Sequence, residues 1–98
     1  MLIVGGSVMA RPETLHALRA VCVAHSGRSR GEPGCVSHNV HVDCEDPLRL
    51  FFLRTLDRPD ALHAHFKAPG TATFIEDLRR FDAAAGRPDV YEVTVPVG

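Results

Sequence analysis

The spacing of apolar and polar positions changes period several times along this chain, and the changes mark out its elements. Leu2 to Ala10 is a nearly unbroken apolar run with Gly5-Gly6 inside it, the pattern of a buried strand with a bulge or a close backbone approach. After Pro12 the period lengthens. Leu15, Leu18, Cys22 and His25 recur at helical spacing, and Val21 broadens the stripe. Pro12 suits a first helical turn, Glu13 complements the dipole there, and Gly27 is the expected end. The polar connector Arg28 to Gly34 closes in the turn signal Pro33-Gly34. Strict alternation then returns in "EPGCVSHNVHVD", with Val36, His38, Val40 and Val42 on one face and Ser37, Asn39, His41 and Asp43 on the other.

The turn "CEDP" leads to a third strand, Leu48 to Leu56. Leu50, Phe52, Arg54 and Leu56 form one row, and Phe51, Leu53 and Thr55 the other. Both rows carry large apolar groups, so both faces of the sheet need cover. "DRPDALHAHF" opens a second helix with Asp57 as cap and Pro59 in its first turn. Pro69-Gly70 interrupts it, and Thr73 to Ala85 resumes as helix through Phe74, Leu78 and Phe81. Gly86-Arg87-Pro88 ends that segment, and Asp89 to Val97 reads as the last strand. The order strand, helix, strand, strand, helix, strand predicts an α+β fold. It is a ferredoxin-like split βαβ sandwich with a four-stranded antiparallel sheet and helices on one face. In so short a chain a second subunit is expected to cover the other face.

Composition adjusts this picture in a few places. Ninety-eight residues and an apolar fraction of 45% suit one globular domain, 1–98. A net charge of -1, with arginines spread along the chain, gives no reason to expect nucleic acid or anionic membrane as a partner. No apolar run approaches the roughly 20 residues that span a bilayer, and the start lacks the basic region of a secretory signal. Cys22, Cys35 and Cys44 are an odd set without C-x-x-C spacing, which fits a reduced, cytoplasmic setting.

Several segments together resemble the antibiotic biosynthesis monooxygenase (ABM) domain family of dimeric α/β barrels. They are "ARPE" after the first strand, "SRGEPGC" followed by the "VHVD" strand, "DP" before the third strand, and "ALHAHF" followed by Pro69. The resemblance covers nearly the whole chain. It implies a homodimer with two sheets packed face to face and a pocket in each subunit between sheet and helices. It further implies a cofactor-independent monooxygenase acting on an aromatic quinol or phenol. The alternative is a non-catalytic or isomerase-like domain that binds a small hydrophobic ligand, neutral or anionic. His65 matches the family directly. His38 stands where the family usually has Tyr, Arg54 and Leu56 where it has Glu and Trp, and Gly5 or Gly6 near its strand-one Asn.

The candidate chemistry centres on His65 and His38. His65 follows Leu62 on the inward helix face. It is read either as a base or donor to a phenolic oxygen, or as a buried imidazole satisfied by a backbone carbonyl. His63 diverges from it by about 200° round the helix and is expected in solvent. His38 and Arg54 can meet across adjacent strands, where a cation favours a neutral imidazole. Otherwise Arg54 pairs with Glu76 or Asp77. Arg54, Phe52, Leu56, Phe66 and Phe74 are the expected substrate-binding walls, in a cavity between the second helix and the sheet. The pairs His38/His41 and His63/His65 each point apart, so no metal site is expected from them. Nor is there a phosphate-binding, flavin or nicotinamide fingerprint. An oxygenase here takes its electrons from the substrate.

Overall fold

The computed structural model describes residues 1–94. The order is β1 (Leu2–Met9), α1 (Leu15–Ser29), β2 (Cys35–Val42), β3 (Arg49–Leu56), α2 (Pro59–Lys67), α3 (Pro69–Arg80), β4 (Ala84–Ala85) and β5 (Asp89–Glu92). The sheet is antiparallel in the order β2-β3-β1-β4, with β5 also on β1. This is the expected α+β sandwich, with its fourth position shared by two short strands. β4 pairs with Val8 and Met9, and β5 with Leu2 to Gly5. The expected strand residues Val95 to Val97 lie outside the described residues. Among the described residues no helix is long and apolar enough to cross a membrane.

Alternation along the strands puts one row under the helices. Val8, Leu50 and Phe52 pack with Leu18 and Cys22 of α1 and with Phe74 and Leu78 of α3. A second cluster joins Leu2, Val4 and Leu56 to Ala61 of α2. The opposite row includes Met9, Leu53 and Tyr91, all exposed.

Several local expectations are corrected. α1 does not end at Gly27 but runs on to Ser29, because Ser26 and Ser29 are buried and Arg30 fastens the helix end to β2. The Arg30 guanidinium donates from Nε to the His38 carbonyl at 2.9 Å and from Nη2 to Asn39 Oδ1 at 3.1 Å. Val36 does not share the inner row. A bulge between Cys35 and Ser37 turns it outward, 59% exposed, and Cys35 packs inward in its place. β1 carries no bulge. Gly5 instead provides the close approach, since a Cβ there would meet the Phe51 ring at 2.9 Å. Asp57 makes no cap bond to α2, and its carboxylate pairs with Arg58 at 3.0 Å. Pro69 opens α3 as a first-turn proline. That helix stops at Arg80, so Ala84-Ala85 is strand rather than helix.

Candidate functional site

Helix α3 leans over the inner row of the sheet and leaves a cavity of about 210 Å³. β3 contributes Phe52 and Arg54 to its lining, and β1 contributes Gly6 and Val8. α1 supplies His25, α2 supplies His65 and Phe66, and α3 supplies Phe74 and Leu78. The break between β4 and β5 completes the wall with Gly86 and Pro88. The start of α3 is tied to the end of α2 by the Thr71 hydroxyl, which donates to the His65 carbonyl at 2.5 Å.

Three imidazoles converge beneath this cavity. Helical spacing from Leu18 and Cys22 turns His25 inward, alternation turns His38 inward, and α2 presents His65 beside Ala61. Ring centroids are 5.4 Å apart for His25 and His38, 5.5 Å for His25 and His65, and 5.6 Å for His38 and His65. All three are buried. His25 stacks on Phe74 at 4.0 Å with the rings nearly parallel. His38 Nδ1 shares a hydrogen with Ser26 Oγ at 2.9 Å, and His65 Nδ1 meets Glu32 Oε1 at 2.6 Å. Burial pushes His25 and His38 down to about 3, helped by the neighbouring imidazoles and by Arg54, so both are neutral at neutral pH.

Arg54 lies directly across from His38 in the β2–β3 register, as alternation predicts. It pairs with neither Glu76 nor Asp77, and Asp77 instead holds Arg80 at 3.1 Å. Its Nε is buried without a hydrogen-bond partner among the described residues. Burial lowers its pKa, and the charge of Glu32 acts in the opposite direction.

The structure therefore brings His65, Arg54, Phe52, Phe66 and Phe74 to one cavity. It does not bring His38 or Leu56 to the wall. His38 sits behind Phe52 and the other two imidazoles, 1% exposed. Leu56 lies two residues further along β3, under Ala61 in the second core cluster. The cavity also sits under α3 and the edge of β1 as much as under α2. His41 and His63 are exposed. Spacing within one element shows only the pairs that point apart, whereas His25, His38 and His65 meet from three separate elements. His25 was legible as an inward residue at helical spacing. Glu32, in the polar connector, had no periodic signal.

The antibiotic biosynthesis monooxygenase family model matches residues 1–77. A candidate antibiotic biosynthesis monooxygenase from Deinococcus radiodurans, solved by crystallography, is 26% identical. Its match covers 100% of this chain and 97% of that one, with a TM-score of 0.94. A second candidate of that description, from Chloroflexus aurantiacus, is 28% identical over 99% of this chain and 93% of its own, with a TM-score of 0.75. A Mycobacterium tuberculosis protein shares the fold at 20% identity, with a TM-score of 0.86 over 99% of this chain and 98% of its own. An uncharacterised Synechocystis protein is 29% identical over 93 residues, 94% of this chain, and the chain spans 63% of that relative's length. By the extent of the family match and the shared architecture, the chain belongs to the antibiotic biosynthesis monooxygenase family.

Proposed function

We propose that the cavity binds a small hydroxyaromatic molecule of the quinol or phenol type as its phenolate, and that the protein oxygenates it with electrons drawn from the substrate. The observation that carries this reading is Arg54: a buried guanidinium whose Nε has no partner among the described residues, on the wall of an otherwise largely apolar cavity. A buried unpaired cation is costly, and an oxyanion seated against it removes that cost. Phe52, Phe66 and Phe74 offer ring faces and edges to an aromatic ligand. Apolar cavities of about 150 Å³ already take benzene, so the space suits one substituted ring, and a larger ligand would extend through the mouth.

His65 accepts the phenolic proton, with Glu32 on its Nδ1 fixing the ring so that Nε2 carries the lone pair. His38 stands one layer behind as a positioning residue. The substrate then gives up one ring-carbon hydrogen and its hydroxyl hydrogen, the carbon takes one atom of dioxygen as a quinone carbonyl, and the second oxygen atom leaves with those two hydrogens as water. The outer sheet face, with Met9, Leu53 and Tyr91 exposed, receives a second copy of the chain. The three free cysteines suit a reducing, cytoplasmic compartment.

Oxygen uptake by chelator-treated protein over a panel of dihydroxyaromatics tests the reaction. Uptake that drops at least about 100-fold in His65→Gln and Arg54→Met supports it. Equal uptake in those variants, or none with any member of the panel, overturns it. A carboxylate-oriented imidazole beside a guanidinium also suits proton-transfer isomerisation. Product formation without oxygen consumption would favour that second reading.

A further inference from the structure

We propose that His25, His38 and His65 form a binding site for one divalent first-row transition-metal ion, with an open coordination position facing the cavity. The three side chains come from α1, β2 and α2, and they offer one ring nitrogen each within 4.8 Å of the others. Three imidazoles with an open position make a ligand set of the catalytic kind. An all-nitrogen set selects zinc, iron, cobalt, nickel or copper over magnesium and calcium, which take oxygen ligands.

The second layer of contacts points the same way. A metal-bound imidazole donates its other ring N–H to a carboxylate or another polar group, which fixes the tautomer. His65 has Glu32 at 2.6 Å on Nδ1, and His38 has Ser26 at 2.9 Å on Nδ1. Where each Nδ1–H donates to these oxygens, Nε2 of both rings carries the free lone pair. His38 Nε2 and His25 Nδ1 are buried with no hydrogen-bond partner among the described residues, an arrangement that needs an occupant to compensate it.

Two features shape the site. Metal–nitrogen bonds of about 2.0–2.1 Å place tetrahedral ligands about 3.4 Å apart. The imidazoles must therefore draw inward from a separation of up to 4.8 Å, by side-chain rotation. Arg54 repels a dication, and Glu32 offsets one charge. The open position accordingly takes an anionic oxygen ligand, hydroxide or a phenolate, placed between the metal and the guanidinium. The site does not rest on the oxygenase reading, and a metal on His65 Nε2 takes the lone pair that accepts the phenolic proton in the metal-free chain, so the two states exclude each other. Uptake of oxygen by stripped protein and binding of metal without substrate are separate measurements.

The test uses the full chain stripped with chelator and titrated with cobalt(II) chloride, followed by competition with zinc chloride. One saturable site per chain is expected, with the visible absorption of low-coordinate cobalt and a Tm that climbs with metal concentration. His25→Phe, which keeps the stacking on Phe74, should weaken binding at least about 100-fold, and Glu32→Gln about 10–100-fold. His41→Ala and His63→Ala remove exposed imidazoles and should leave affinity unchanged. Absence of saturation in the wild type at about 100 µM cobalt would overturn the site. So would undiminished affinity in Glu32→Gln, the deciding variant if His25→Phe does not fold by circular dichroism.

Discussion

Arg54 and the imidazoles around it set the behaviour of the interior. Arg54 is 9% exposed, and Glu32, the acid whose charge acts on it, is engaged by His65. Replacing it with Met keeps much of the volume and removes the desolvated charge. Arg54→Met should raise the stability of the ligand-free chain by about 1–3 kcal/mol in urea unfolding, while phenolate binding measured by calorimetry falls. A loss of stability would show that Arg54 is paired in solution. His25 and His38 govern the response to acid. Each imidazole titrates near 3 when folded against 6.5 when free, so the unfolded chain takes up protons first as pH falls. Their contribution is complete above about pH 6.5 and is lost progressively as pH drops toward 3, at up to about 1.4 kcal/mol per pH unit for each. Metal-free protein should therefore lose stability between pH 6.5 and 5, before most carboxylates titrate. His25→Phe should halve that slope, and an unchanged slope would count against the burial of this imidazole. Alternation and helical spacing made the inward direction of Arg54, His38 and His25 legible in the sequence. Their meeting was not, because it depends on how α1 and α2 cross the sheet.

At the scale of elements, period decided what sequence could show. The β3 row Leu50, Phe52, Arg54 and Leu56 is buried as alternation predicts, since a strand packed on one face has no other register. Val36 breaks the same rule because one bulged residue shifts the pattern by one, and nothing in "GCVSH" announces it. Gly27 misleads for a different reason. Contacts from Arg30 to β2 extend the helix past a residue that ordinarily stops one. Gly27 is exposed within α1, and a Cβ there meets nothing within 4 Å. Gly27→Ala should accordingly stabilise the chain by about 0.5–1 kcal/mol, read as a higher urea midpoint. Gly34 is its opposite. Its φ is +81°, and a Cβ would stand 2.6 Å from that of Ala61. Gly34→Ala should lower the midpoint by several times as much, and a neutral result would mean that the Pro33-Gly34 turn tolerates rebuilding.

For the whole molecule, the element order alone was enough to indicate the sandwich, and the doubly apolar β3 suggested a second subunit. In a single chain the outer sheet face leaves Leu53 41% and Tyr91 58% exposed. Light scattering at micromolar concentration should give twice the chain mass, and Leu53→Glu should shift the species toward monomer. A wild-type monomer would remove the second subunit from the fold's explanation. The interrupted fourth strand has a separate consequence, for traffic into and out of the protein. Gly86 and Pro88 sit at the cavity wall, where pairing to β1 pauses between β4 and β5 and the Gly86 N–H donates to the Ser7 carbonyl at 3.1 Å. Substitutions in this break alter the rim of the cavity without touching the β1–β3 ladder that holds Phe52 and Arg54. The passage can therefore vary from one relative to another while the frame behind it stays the same.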